Sequence, residues 1–243
     1  MTLRLILFLL ILPMSRALSD DWAETYDTLL QKYTSKSGVA YQAWHRSKPD
    51  REKLRAVVEG IGNQSLEGFS RDARLAFYLN AYNAWILHQI LESYPTKGPG
   101  GGGFIGRTRF FRARSIRVAG QKTSFHLLEN DIIRPKFSEP RIHFALNCAS
   151  KSCPPLHSHA FRAESLDATL TQLTEAFINE NKLGIRSTGP NAIAISEIFK
   201  WYRSDFEAKG SVLDYINSHR EKPFSRKTKI RYQDYQWTLN ESS

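Results

Sequence analysis

Residues 141–155 read R-I-H-F-A-L-N-C-A-S-K-S-C-P-P, and we expect the rest of the chain to be organised around them. The first seven residues alternate between apolar and small or polar side chains, which predicts a half-buried β-strand. The strand leads into a polar turn that holds both of the protein's cysteines, Cys148 and Cys153. Two prolines follow, and because they have no N–H to donate, strand pairing should end there. The sequence thus predicts a strand that carries His143 and delivers a cysteine to a tight loop.

The N-terminus has the layout of a secretory signal peptide. Arg4 supplies a positive charge, Leu5–Met14 is an apolar run, and Ser15–Ala17 is a small-x-small cleavage signal, so residues 1–17 are predicted to be removed. The apolar run is short for a bilayer span, and the sequence has no other long apolar stretch. We therefore expect a secreted or periplasmic protein with no transmembrane span in the mature chain.

The first interpretation of the cysteine turn is a catalytic thiol. A cysteine nucleophile needs a lowered thiol pKa, a base within reach and donors for a developing oxyanion. Cys148 would be the nucleophile, His143 the base and Glu129 the carboxylate that orients the base. Regular strand geometry places His143 on the opposite face from Cys148, unless a bulge at Asn147 brings the two together.

The second interpretation is a disulfide between Cys148 and Cys153. Export favours oxidation, the number of cysteines is even, and a spacer of four residues can close if the loop turns. The loop would then belong to a non-catalytic binding module. The spacing is not the C-x-x-C of a thioredoxin-like site, and the seven histidines show no zinc-ligand pattern, so neither a metal nor a cofactor is predicted.

Two asparagines interrupt the most apolar segment of the chain, a predicted helix over residues 71–94. Asn80 and Asn83 should be buried there, and a buried amide without a partner costs about 1–3 kcal/mol. Such amides either brace a neighbouring loop or line a pocket. Together with Asn147 and Arg141 they are our candidates for a substrate-binding lining.

The chain is basic, with a formal net charge of +10. An exported basic protein is attracted to anionic surfaces, whereas export argues against a specific nucleic-acid partner. Five arginines lie between residues 107 and 117, interleaved with two phenylalanines, and we interpret this stretch as a basic hairpin edge. Residues 97–107, which include four consecutive glycines, predict a flexible surface loop.

Helices outnumber strands along the chain. Residues 18–243 suit a single domain, and no low-complexity linker divides them. The predicted fold is α+β: one helix-rich domain around one small, mostly antiparallel sheet. Further helices are predicted over residues 22–32, 50–62, 124–134 and 165–181 and from 198, and further strands over 192–195 and 229–239.

Five motifs follow one another along the chain: F-Y-L-N-A-Y-N-A at Phe77–Ala84, L-E-N-D-I-I-R at Leu128–Arg134, R-I-H-F-A-L-N-C-A-S-K-S-C-P at Arg141–Pro154, I-F-K-W-Y-R-S-D-F at Ile198–Phe206 and Y-Q-W-T-L-N at Tyr235–Asn240. In this order they resemble the domain-of-unknown-function family 547, and the resemblance spans about residues 72–240. The family usually has Glu-His where this chain has Glu129-Asn130, and an acid where it has Gln236. Its biochemistry is not established, so the resemblance implies no activity.

In relatives, the cysteine matching Cys148 is more regular than the one matching Cys153, which favours a functional thiol. Our leading hypothesis is therefore a cysteine-dependent hydrolase or acyl transferase, papain- or transglutaminase-like in chemistry, acting on a small molecule or peptide. The alternative is a binding module with a Cys148–Cys153 disulfide loop and a basic edge for an anionic partner.

Overall fold

The computed structural model describes residues 20–180 and 182–242. The predicted signal peptide, residues 1–17, lies outside them. Within the described residues, no helix is long and apolar enough to cross a membrane.

Helices dominate the chain. The α-helices are α1 Asp20–Tyr33, α2 Tyr41–Arg46, α3 Lys48–Asn63, α4 Arg71–Glu92, α5 Gly103–Thr108, α6 Phe125–Leu127, α7 Arg134–Phe137, α8 Leu166–Asn179, α9 Ile198–Trp201, α10 Arg203–Phe206 and α11 Val212–Ser218. π-helical turns at Arg109–Ala113 and Leu128–Ile133 extend α5 and join α6 to α7, and 3₁₀ turns lie at Pro140–Phe144, Ala163–Ser165 and Glu207–Lys209. The predicted helices are thus present, with ends shifted by a few residues.

In residues 20–180 and 182–242 the strands are short and form three separate sheets rather than one. They are β1 Thr34–Ser35, β2 Gly38–Val39, β3 Ile116–Val118, β4 Gln121–Thr123, β5 Ile185–Gly189, β6 Ala192–Ile195 and β7 Lys229–Tyr232. β1–β2 and β3–β4 are antiparallel pairs, while β6 pairs antiparallel with β5 and parallel with β7. The predicted α+β class is confirmed.

Helix α4 is the centre of the larger of two hydrophobic cores. The Ser70 hydroxyl caps it by accepting a hydrogen bond from the Ala73 N–H at 3.1 Å. The helix buries residues on all sides, as its apolar sequence predicts. The second core contains Phe144, Phe177 and Phe199 and lies against β6 and α11.

The segment 141–147 is not a strand. It forms the 3₁₀ turn Pro140–Phe144, and every residue from Ile142 to Asn147 is buried, so burial does not alternate. The reason is its position between the two cores: Ile142 packs in the core around α4 and Phe144 in the second core. Apolar side chains are therefore needed in both directions, and an alternating pattern does not require a strand. Our prediction of a strand here was wrong.

Three other local predictions were wrong in whole or in part. The glycine-rich stretch ends in helix α5, and Arg107, Arg109 and Arg112 lie on the helical segment 103–113 rather than on a hairpin edge. Arg117 alone lies on a hairpin strand, β3. The hairpin comes later, where Ile116–Val118 pairs with Gln121–Thr123. The strand at the C-terminus ends at Tyr232 instead of residue 239.

Residues 236–240, the C-terminal segment, instead pair with the cysteine turn. Lys151 N–H donates to Thr238 O at 2.8 Å, Ser152 N–H to Gln236 O at 3.2 Å, and Asn240 N–H to Ala149 O at 3.2 Å. A buried irregular turn needs such partners for its backbone groups. The last segment of the chain therefore fixes the turn that carries both cysteines.

Two buried asparagine side chains of helix α4 hold neighbouring loops against the helix. The Asn83 amide donates to Ala145 O at 2.9 Å, and its carbonyl accepts from Asn147 N–H at 2.9 Å. Asn80 makes the equivalent pair of bonds with the backbone of Phe161, at 2.9 and 2.8 Å. These amides brace loops, which is the structural role that a buried amide in an apolar helix can have.

We expect Asn83→Ala to lower the free energy of unfolding by about 1–3 kcal/mol, because it leaves the carbonyl of Ala145 and the N–H of Asn147 buried without partners. Urea denaturation followed by circular dichroism measures the change. The exposed Asn63→Ala is the matched control, and its effect should stay within about 0.5 kcal/mol. Equal denaturation midpoints for Asn83→Ala and wild type would contradict the bracing role.

Candidate functional site

A cavity of about 210 Å³ lies where helix α4, the helical segment 125–137, the cysteine turn, α9 and the C-terminal segment meet. Cys148, His143 and Glu129 all line it. These three residues, predicted from the sequence as one site, are therefore neighbours around one cavity. The 3₁₀ turn at residues 140–144 explains why His143 and Cys148 share it, since a regular strand would have separated their side chains.

One wall of the cavity is a disulfide between Cys148 and Cys153. The Cys148 N–H lies 2.9 Å from the sulfur of Cys153, and the hydroxyls of Ser150 and Tyr235 lie 3.0 and 3.3 Å from the sulfur of Cys148. Ala149 takes a left-handed conformation, with φ of 60°, that tightens the turn. In this form of the protein Cys148 carries no thiol.

The carboxylate beside His143 belongs to Asp205, not to Glu129. His143 Nε2 lies 2.8 Å from Asp205 Oδ2, and the imidazole stacks on Tyr202 with ring centres 3.8 Å apart. Arg134 donates two further hydrogen bonds to the same carboxylate, at 2.7 and 2.8 Å. Burial alone would raise the pKa of Asp205, but the hydrogen bonds from His143 and Arg134 lower that pKa well below its ordinary value.

A chain of hydrogen bonds connects the two histidines of the cavity, His126 and His143. The Asn130 amide donates to His126 Nδ1 at 3.1 Å, and its carbonyl accepts from Arg134 at 2.7 Å. Arg134 then reaches Asp205, which holds His143. Residues 126, 130 and 134 are four apart, so the helical segment presents them on one side.

Glu129 has a different environment. It is only 8% exposed, and within the described part of the chain it takes part in no ion pair. Burial raises the pKa values of the neighbouring Tyr82 and Tyr202 phenols, and the negative charge of Glu129 raises them further. The nearby Arg134 forms an ion pair with Asp205. The negative charge of Glu129 acts on Arg134 as well. The cavity thus contains a buried carboxylate that has a nearby cation but forms no ion pair within the described residues.

Aromatic side chains form the mouth of the cavity. Trp201, Tyr235 and Trp237 pack on one another with ring centres 4.6–5.5 Å apart. Trp201 is 43% exposed, which is high for a tryptophan and leaves its ring open to a ligand. Arg107 lies over the Trp237 ring at 4.8 Å.

The residues proposed as a substrate-binding lining lie elsewhere. Asn80 and Asn83 bond to backbone, and Asn147 bonds to the Pro154 carbonyl at 2.7 Å and the Ala149 N–H at 2.9 Å. Arg141 pairs with Glu139 and Asp167 at 2.7 and 2.9 Å, outside the cavity. Their hydrogen-bonding groups hold the structure rather than face the cavity.

Residues 201–205 contribute to the site although none of them was predicted as a site residue. Trp201, Tyr202 and Asp205 all belong to the motif I-F-K-W-Y-R-S-D-F, whose aromatic residues look like an ordinary amphipathic helix. An acid beside three aromatics was the available signal. Within the described residues, no group of three or more His, Cys, Asp or Glu is arranged to hold a metal ion.

We expect Asp205→Asn to destabilise the protein by about 1.5–3 kcal/mol at pH 6, because it weakens charge-assisted hydrogen bonds from Arg134 and His143. The folded-state pKa of Asp205 is depressed, so its stabilising contribution is complete above the unfolded pKa of about 3.9 and is lost as the pH falls below that value. The difference between wild type and variant should therefore be smaller at pH 3 than at pH 6.

Thermal or urea unfolding across this pH range measures the effect. Asp131→Asn, an exposed position on the neighbouring helical segment, is the control and should change stability little at either pH. A stability difference for Asp205→Asn that stays constant from pH 6 to pH 3 would contradict the ion-pair assignment.

Comparison with known sequences identifies the segment that carries most of this site. Residues 66–178 match the sequence model of a family described as "Protein of unknown function, DUF547". The matched segment includes Glu129, His143 and both cysteines, whereas the motifs at Ile198–Phe206 and Tyr235–Asn240 lie outside it. No curated protein and no solved structure matches the chain. Over residues 66–178, the chain is thus similar to the DUF547 family of proteins of unknown function.

Proposed function

We propose that the protein is a binding module whose cavity holds a small cationic group, such as a quaternary ammonium or a protonated amine. The observation that carries this proposal is the buried carboxylate of Glu129, which forms no ion pair among the described residues. Burying a carboxylate that has no ion-pair partner is costly, and a bound cation would offset part of that cost.

The surroundings of Glu129 support a cation as ligand. Aromatic faces attract cations through their quadrupoles, and tryptophan does so most strongly. Tyr82, Tyr202 and Trp201 line the cavity together with Glu129. The volume of about 210 Å³ lies below the range of about 300–1,000 Å³ that drug-sized ligands need, which favours a small group or the end of a larger molecule.

The disulfide supports a binding role and an exported location. With Cys148 and Cys153 joined, the turn is a fixed wall of the cavity rather than a source of thiolate. Disulfides persist in secreted and periplasmic proteins and are rare in reducing compartments, so this pair agrees with export by the predicted signal peptide.

Matched ligands test the proposal directly. The protein, purified with its disulfide intact, is titrated with choline and with its neutral isostere 3,3-dimethylbutan-1-ol by calorimetry, and the fluorescence of Trp201 and Trp237 reports on the cavity. We expect choline to bind at least about tenfold more tightly than the neutral compound, a difference of about 1.4 kcal/mol. Glu129→Gln should remove that preference because it keeps the shape and deletes the charge.

Glu221→Gln, an exposed substitution of the same kind, should leave both affinities unchanged. Equal binding of choline and the isostere would overturn the cationic ligand, as would a Glu129→Gln variant that keeps the preference. Failure of both compounds to bind would also count against it.

A second candidate function is that of a cysteine-dependent hydrolase or acyl transferase that becomes active on reduction. The observation in its favour is the His143–Asp205 pair at 2.8 Å beside a cavity that Cys148 also lines. A base held by a third group next to a nucleophile is the arrangement that thiol and serine catalysis shares. Because Nε2 of His143 is engaged with Asp205, Nδ1 is the nitrogen left to accept the thiol proton.

Single cysteine variants separate the two functions. In Cys153→Ser the Cys148 thiol is free without reductant, and in Cys148→Ser the Cys153 thiol is free instead. If the thiol is catalytic, Cys153→Ser alone should react rapidly with iodoacetamide at neutral pH and hydrolyse p-nitrophenyl acetate. Peptide mapping after brief alkylation and a spectrophotometric assay measure both properties.

The control is wild-type protein, which should react with iodoacetamide only after reduction. Similar labelling rates for the two variants, or ester hydrolysis retained in Cys148→Ser, would eliminate the thiol-dependent enzyme.

A further inference from the structure

We propose that the tip formed by residues 97–112 docks on the surface of an anionic membrane. This inference is independent of the ligand that the cavity binds. It rests on the exposure of two apolar side chains, on the charge of the surrounding sequence and on the way the tip is attached to the rest of the protein.

Phe104 and Ile105 are the two most exposed large apolar residues in the described chain. They are 75% and 79% exposed, and the next, Leu127, is 44% exposed. Both lie on helix α5, which has no buried residue. Single exposed apolar side chains are ordinary, whereas an adjacent exposed pair on a helix with no buried residue is a candidate contact surface.

The sequence around the pair carries only positive charge. Between residues 93 and 128 there are seven Lys and Arg and no Asp or Glu. Lys97, Arg109 and Arg112 are exposed on the tip itself. Basic residues near an anionic leaflet each contribute about 1 kcal/mol of attraction, which falls off within a Debye length. The partner that this charge fits is therefore anionic.

A lipid surface accounts for both features at once. Short segments that combine aromatic or aliphatic side chains with Lys and Arg bind at the interface of a bilayer, where apolar groups enter the acyl boundary and cations meet the headgroups. A stable protein–protein contact needs about 800 Å² from each partner. Two side chains on a six-residue helix offer much less, so a second protein copy fits the tip less well.

The tip is attached closely to the C-terminal segment. A Cβ on Gly98 would lie 2.9 Å from the backbone nitrogen of Leu239, and one on Gly100 would lie 2.4 Å from the Cβ of Trp237. Glycine is thus required where the two backbones approach. Since Trp237 lines the cavity mouth, a docked tip would place that mouth near the membrane.

Vesicle co-sedimentation tests the proposal with the full purified protein. We expect it to bind phosphatidylcholine vesicles that contain phosphatidylglycerol, to bind pure phosphatidylcholine at least about tenfold more weakly, and to dissociate as salt is raised. The double variant Phe104→Ser/Ile105→Ser should reduce partitioning at least about tenfold. Arg109→Gln/Arg112→Gln should reduce it by a similar factor and flatten the salt dependence.

Two controls match these variants in chemistry but lie away from the tip. Ile230→Ser removes another exposed apolar side chain, and Lys222→Gln/Lys227→Gln removes two exposed charges. Both should bind vesicles like wild type, and circular dichroism should show every variant folded.

Three results would overturn the proposal. The first is equal binding to charged and neutral vesicles, and the second is a tip variant that partitions like wild type. The third is concentration-dependent self-association of the wild type that Phe104→Ser/Ile105→Ser abolishes, because the tip would then be a contact between protein copies.

Discussion

The structure depends on hydrogen-bond partners for the buried backbone N–H and C=O groups of the cysteine turn. A turn inside a protein exposes N–H and C=O groups that neither a helix nor a sheet of its own can pair. Here Asn83 from helix α4 holds the chain just before the turn, and the C-terminal segment pairs with it from Ala149 to Ser152. The disulfide then closes a loop whose position is already determined. These backbone hydrogen bonds place Cys148 beside the cavity and fix the positions of the other residues of the turn.

An ion pair between Arg134 and Asp205 joins the two halves of the site. Arg134 lies on the helical segment at residues 125–137, and Asp205 lies on α10 beside the second core. Their two hydrogen bonds and the bond to His143 bring the two regions to one edge of the cavity. Glu129, one turn before Arg134, is left without such a partner. The carboxylate of Asp205 therefore joins elements of the structure, whereas that of Glu129 forms no ion pair within the described residues.

The sequence predicted the helices and the residues at the centre of the site more accurately than it predicted the backbone conformation of residues 141–147. The apolar pattern of the sequence identified α4 and α8, and the thiol hypothesis selected three residues that line one cavity. The alternating apolar pattern at 141–147 was misleading because its side chains enter two different cores on opposite sides of the segment. The sequence pattern of such a segment is the same as that of a half-buried strand. Asp205 was missed because its role depends on a contact with a residue 62 positions away. The disulfide and the thiol could not be separated by spacing alone.

The C-terminal segment also joins the beginning of the described chain to its end. Val39 N–H donates to Asn240 O at 3.0 Å, and Ser242 N–H donates to Val39 O at 2.9 Å. The contacts that complete the cavity wall are thus among the most distant in sequence, and such contacts are slow to form because loop-closure entropy opposes them. A chain still emerging from a ribosome or a translocation channel would lack this segment, so its cysteine turn would have no pairing partner. The cavity wall is therefore complete only after residues 236–240 have been delivered and have paired with the cysteine turn.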